Sequence, residues 1–213
     1  MVAVDAGNDA PVHGGGRDLR ICFIGDSLVQ GVGDGAGGWV GRLAAATAAR
    51  GLELTAYSLG VREDTSRMIA SRWYEEAERR LTGGTEYRVV LAFGTNDTAV
   101  AGGQRRIAEE RSAVYLAAML RGAAEAGWPV LVVGPPPVAD GEHTARIGEL
   151  SRALQKVCGS SGVPYVALAE RLADSAAWRE SLAGGDGAHP GPAGYQLLAE
   201  TVAGSGWWEW LDL

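Results

Sequence analysis

A handful of residues in this chain have types and spacings that could do chemistry. Ser27 closes the apolar run in "RICFIGDSLVQG" and would offer a hydroxyl at the end of a β-rich stretch. His189, one of three histidines, follows Asp186 by three residues in the loop "GGDGAHPGP". A tight loop there would let the carboxylate accept the imidazole Nδ1–H while Nε2 faces a hydroxyl, fixing the tautomer and favouring the imidazolium of a transition state. A hydroxyl, a base and a group that orients the base are the parts of an activated nucleophile. The remaining requirement is donors for a developing oxyanion. The N–H groups of Ser27 and Gly60 and the side-chain amide of Asn96 are the candidates. Glycine at 60 lets backbone approach a substrate closely, and Asn96 in "FGTND" donates without introducing a charge.

Taken singly, each residue has a plainer role. Ser27 could be a helix N-cap, Asn96 and Asp97 an Asx-turn, and Asp186 with His189 a surface pair. Asp26 could cap a helix or bond loop amides, and His143 is expected at the surface. Gly31, Gly33 and Ala36 carry the GxGxxA spacing of a dinucleotide-binding turn. Gly31 lies several residues past the expected strand end, however, and Glu53 opens the second strand rather than ending it, so the register is wrong for a cofactor. Nor is Ser27 a nucleophile elbow, since GxSxG would need glycine where Val29 stands.

The elements that must position these residues alternate between β and helical periodicity. Apolar runs at Leu19–Ile24, Leu52–Leu59, Tyr87–Phe93, Pro129–Val133 and Pro164–Leu168 read as buried strands. Between them lie amphipathic stretches at helical spacing, such as Ile69, Trp73, Ala77 and Leu81, and a last one follows Pro192. Five strands with interleaved helices predict an α/β protein, a three-layer α/β/α sandwich on a five-stranded parallel sheet. In such sheets ligands bind beyond the carboxyl ends of the strands. Ser27, Gly60, Asn96 and, after one further helix, Asp186 and His189 all fall at that rim.

Length and composition bound the rest. A chain of 213 residues can bury a substantial core as one domain, expected over residues 18–213, behind a flexible tail at 1–17 that leaves His13 solvated. The net charge of −7, with no basic patch, argues against nucleic acid as partner. No run of about 18 apolar residues is present, which argues against a membrane. The N-terminus lacks the pattern of a signal peptide, so the expected location is cytoplasmic. Cys22 and Cys158, without CxxC spacing, are expected as buried free thiols. Trp39, Trp73, Trp128 and Trp178 read as packing residues. The cluster Trp207, Trp208 and Trp210 either seals the core or faces a partner subunit, so monomer and homodimer both stand. Pro135, Pro136 and Pro137 most simply stiffen a loop, and could also wall a pocket with Val138.

Four stretches, "FIGDSLVQG", "SLG", "FGTND" and "DGAHP", resemble the four sequence blocks of the GDSL family of lipases and esterases, also called SGNH hydrolases. The likeness runs from about Leu19 to the last helix in the family's order, and four ordered blocks are far more specific than one. It implies Ser27 as nucleophile, Gly60 and Asn96 as oxyanion donors beside Ser27 N–H, and His189 as a base oriented by Asp186. It also implies a flavodoxin-like sheet, no metal and no organic cofactor. Two residues depart from the second block: Ser58 stands where asparagine, and Glu63 where glycine, is expected in many members. Glu63 would then alter the loop or set a charge beside the pocket. The expected reaction is hydrolysis of a short-chain acyl ester, a small molecule, through an acyl-enzyme. A carbohydrate O-acetyl esterase or thioesterase is the alternative within the family, and a catalytically silent binding module is the alternative from another class.

Overall fold

The computed structural model describes residues 16–213. His13 and most of the expected 1–17 tail lie outside the described residues. Arg17 is described, and it is no tail residue: its guanidinium holds Glu86 with two bonds of 2.6 and 2.9 Å and donates to Leu211 O at 2.8 Å.

The elements run β1 (Leu19–Gly25), α1 (Ser27–Gln30), α2 (Gly38–Ala48), β2 (Leu54–Gly60), α3 (Ser66–Glu78), β3 (Glu86–Ala92) and α4 (Thr95–Thr98). There follow β4 (Val100–Ala101), β5 (Gln104–Arg105), α5 (Glu109–Glu125), β6 (Val130–Val133), α6 (Gly141–Ser160), β7 (Tyr165–Val166), α7 (Leu168–Leu172) and α8 (Ala176–Ala183). The chain ends with α9 (Pro192–Val202), a kinked turn at Ala203–Trp207 and α10 (Trp208–Trp210). Five strands pair in parallel in the order β2-β1-β3-β6-β7, and β4 with β5 forms a small antiparallel ribbon.

Strand periodicity sorts the core into two layers. On β1, Leu19, Ile21 and Phe23 face Trp39 and Leu43 of α2, Trp178 of α8 and Tyr195, Leu198 and Val202 of α9. Cys22 and Ile24 point the other way, onto Ile69 and Trp73 of α3, Leu116 and Leu120 of α5, and Leu150 and Leu154 of α6. Helices on both faces are why the strands read as unbroken apolar runs rather than alternating ones. Cys22 and Cys158 are buried free thiols, and burial pushes each up to about 12.

Some boundaries differ from the sequence reading. β2 begins at Leu54, two residues later than expected, and β7 keeps only Tyr165 and Val166, because Leu168 turns its side chain into the core as the first residue of α7. Two helices, α7 and α8, separate β7 from the last loop where one was expected. His143 is not at the surface: it is half-buried on α6, and burial lowers its pKa. Its Nε2 lies 3.0 Å from Thr95 O. Since a carbonyl only accepts, Nε2 carries the proton and ties α6 to α4.

The end of the chain closes the core against α2 and β1. Trp207 is fully buried, lies 6.0 Å from the Phe23 ring and donates from Nε1 to Thr47 Oγ1 at 3.0 Å. Trp208 and Trp210 pack on the same layer, each under a guanidinium, Arg50 and Arg88 respectively. Trp207→Ala should cost about 3–5 kcal/mol, as for other large core aromatics. Urea unfolding would report it as a lower midpoint, and a loss under about 1 kcal/mol would show that the segment does not seal the core.

Candidate active site

The carboxyl end of β1 is where the chemistry begins. Gly25, its last residue, has no room for a side chain: a Cβ there would collide with Ala92 O of β3 and with Val29 Cγ2. The chain then turns at once into α1. Asp26 caps it, its Oδ1 accepting Leu28 N–H at 3.0 Å, and Ser27 is the first helical residue. The first N–H groups of a helix have no internal partner, so Ser27 N–H is left free beside its own hydroxyl. Gly31, at φ 82°, ends α1, and its backbone abuts Gly38, so the glycines of this stretch close a loop instead of cradling phosphate.

His189 reaches Ser27 from the far end of the chain. Its Nε2 lies 2.7 Å from Ser27 Oγ and its Nδ1 2.7 Å from Asp186 Oδ2. Nδ1 donates, because a carboxylate accepts, which leaves Nε2 of the neutral ring to accept the serine O–H. Asp186 is fixed by its own loop: Oδ1 takes the N–H groups of Ala188 at 3.0 Å and His189 at 2.9 Å. Desolvation opposes its charge. The His189 side-chain bond and these two backbone bonds outweigh that and hold the carboxyl well below the usual carboxylate range. The Asp186 side chain is 57% exposed and that of His189 16% exposed. The bond between the two thus sits at the solvent rim while the imidazole points inward.

Asn96, second residue of α4, points its amide across the pocket mouth and donates to Asp64 O at 3.0 Å, with Asp26 Oδ2 at 3.4 Å. Its neighbour Asp97 is fully buried and is not a surface turn residue. Asp97 Oδ1 takes Ser66 N–H at 2.7 Å and Oδ2 takes Ser112 Oγ–H at 2.6 Å, which clamps α4 to α3 and α5.

Ser27, Asn96, His189 and Glu63 line one pocket of about 140 Å³, together with Asp26, Leu28, Arg62, Thr95 and Ala188. Three residues expected to face a substrate are not among its lining. Gly60 pairs with Gly25 at the end of β2, and a Cβ at 60 would collide with Gln30 N and Asp26 O. Glycine is needed at 60 for the turn beneath Ser27, not for a substrate. Val61 N–H bonds Gly25 O, and N–H directions alternate along a strand, so Gly60 N–H points away from β1, off the open edge of the sheet. Pro136 lines a second cavity, of about 20 Å³, which shares Asp26, Leu28 and Thr95 with the first and is otherwise lined by residues such as Trp39, Phe93 and Leu198. Val138 packs against Ile147 and Ala169.

Glu63, and not Gly60, lines the pocket with Ser27. It lies in the left-handed region at φ 65°, and its N–H makes no backbone hydrogen bond. A non-glycine residue there costs about 1 kcal/mol, and its surroundings enforce it: Arg106 Nη2 donates to Glu63 O at 3.0 Å. The expected glycine at this position was the available signal, because a site that prefers glycine is often one with positive φ.

A family model describing the GDSL-like lipase/acylhydrolase family matches residues 23–197. The chain therefore belongs to that family of ester hydrolases. No curated protein sequence matches it. Among solved structures, a lipase/acylhydrolase from Enterococcus faecalis superimposes with a TM-score of 0.73 at 24% identity, covering 88% of this chain and 95% of that one. TesA gives 0.69 at 23% identity over 88% and 98%. A catalytic mutant of an acetylxylan esterase from Geobacillus stearothermophilus gives 0.69 at 17% identity over 92% and 97%. At these identities the likeness concerns the fold: a five-stranded parallel sheet with helices on both faces.

Asp26 carries a testable charge. Burial pushes its carboxyl up to about 7, and the charges of Asp97 and Asp64 push the same way, against the Leu28 N–H bond. A carboxyl that holds its proton more tightly folded than unfolded contributes full stability below its unfolded pKa of 3.8 and loses it as pH rises through about 7. Asp26→Asn, which keeps an oxygen for Leu28 N–H, should therefore gain stability relative to wild type between pH 4 and 7. Thermal unfolding across that range checks this, and an unchanging difference would mean that Asp26 stays ionised in the fold.

Proposed function

We propose that the protein hydrolyses short-chain acyl esters by a Ser27–His189–Asp186 triad. The observation that carries this reading is the 2.7 Å bond from Ser27 Oγ to His189 Nε2, on a ring oriented by Asp186. Ser27 Oγ attacks the acyl carbonyl as its proton passes to Nε2, giving a tetrahedral oxyanion. The oxyanion is received by Ser27 N–H, the Asn96 amide and, in place of Gly60, Glu63 N–H. His189 then protonates the leaving alcohol oxygen, the carbon–oxygen bond breaks, and an acyl-enzyme remains. Water, deprotonated by the same nitrogen, releases the acid and returns the serine.

The pocket supports a small acyl group. Its volume of about 140 Å³ is below the roughly 300–1,000 Å³ of sites that enclose drug-sized ligands. A second reading, release of acetyl groups from carbohydrate, is favoured by Arg62 and Glu63, which give the mouth hydrogen-bonding groups suited to a polyhydroxyl alcohol. An acetylxylan esterase shares the fold.

A fluorophosphonate probe read by intact mass tests the nucleophile: one adduct on wild type and none on Ser27→Ala are expected. An unlabelled wild type would favour a binding module. On p-nitrophenyl acetate, Ser27→Ala should lose roughly 10⁴- to 10⁶-fold in kcat and Asn96→Ala about 10²- to 10³-fold. Near-normal turnover by Ser27→Ala would overturn the mechanism.

A further inference from the structure

One arginine outside the pocket touches both of the walls that carry the oxyanion donors. Arg72 stands on α3, and all three of its guanidinium nitrogens are engaged. Nε–H donates to Asp64 Oδ2 at 2.7 Å, Nη2–H to Gly25 O at 2.9 Å and Nη1–H to Glu76 Oε1 at 3.0 Å. Gly25 lies two residues before Ser27. Asp64 directly follows Glu63, and its carbonyl is the acceptor that holds the Asn96 amide.

We propose that Arg72 is a positioning residue for ester hydrolysis, its guanidinium setting the separation between the end of β1 and the Arg62–Asp64 loop and, through Asp64, the aim of the Asn96 amide. The proposal rests on the reading of Ser27 as nucleophile. The loop cannot hold its own shape. Within it the one backbone bond is Asp64 N–H to Val61 O at 3.3 Å, and Glu63 sits in a conformation that its residue type disfavours. Side chains from outside supply the missing constraint: Arg106 on the Glu63 carbonyl, Asn96 on the Asp64 carbonyl and Arg72 on the buried Asp64 carboxylate. Only Arg72 also reaches the nucleophile's strand. A planar fork can bond acceptors on two elements at once in fixed geometry, which a lysine ammonium cannot do. Donors for an oxyanion act by being fixed before the charge develops, so a loosened loop should slow the chemical step and leave ground-state binding intact.

The test is steady-state hydrolysis of p-nitrophenyl acetate by wild type, Arg72→Gln, Asn96→Ala and the double variant. Arg72→Gln should lower kcat roughly 10- to 100-fold with KM within about threefold of wild type. In the Asn96→Ala background the same change should cost at least about fivefold less, because the two residues act through a shared donor. Arg72→Lys keeps a cation beside Asp64 and Glu76 and guards against a folding failure; it should retain Tm yet still lose kcat, and methylguanidinium should partly restore Arg72→Ala. Equal losses in both backgrounds, a rise in KM at constant kcat, or full activity in Arg72→Lys would overturn the proposal. An inactive Ser27→Ala beside an unaffected Arg72→Gln would remove this inference alone, whereas an active Ser27→Ala would remove the nucleophile reading beneath it.

Discussion

The backbone of β1 comes so close to its neighbours at Gly25 that no side chain fits, and the whole rim is organised around that approach. Ala92 O of β3 and Val29 of α1 occupy the space where a Cβ would stand. The strand therefore ends with its carbonyl free to take Val61 N–H from one side and Arg72 from another, while the next residue, Asp26, caps a helix only four residues long. A turn this abrupt places Ser27 first in its helix, at the wall of the pocket. Gly60 serves the same end from β2, since its missing side chain lets Asp26 O and Gln30 N pass.

Around that turn the protein gathers acidic groups and satisfies them unequally. Asp186, at the solvent edge, takes three hydrogen bonds and is held ionised. Asp26 and Asp97 are buried, and burial raises both. The contrast follows from position: the carboxylate that bonds His189 lies where water screens it, and those that hold backbone together lie where charge is costly. Asp97, bonded to Ser66 and Ser112, is a clamp between helices rather than part of the pocket.

Much of this was legible from residue order. Strands covered on both faces read as unbroken apolar runs, so the ends of all five agree with the structure within about two residues; the expected β7 is too long because Leu168 is as apolar as a strand residue while serving α7. The meeting of Ser27 with His189 and Asp186 could be anticipated because each sits in a short block whose neighbours set its local geometry. What escaped depends on loop conformation and helix rotation. Gly60 and Glu63 are three residues apart, and only the loop's path decides which one faces Ser27. The partners of Arg72 and His143 lie on other elements, and no local pattern announces them. Val138 differs for the converse reason: an apolar loop residue can turn toward a pocket or toward the core, and here it packs on Ile147 and Ala169.

The hydrogen bond between Ser27 and His189 joins residues 162 apart in the chain. At a synthesis rate of roughly 5–20 residues per second, Ser27 is made about 8–30 s before His189. Until then Ser27 Oγ has no imidazole partner, and the bond forms only when the loop that carries His189 docks beside Gly33. That contact is dated by the order of synthesis and not by folding alone.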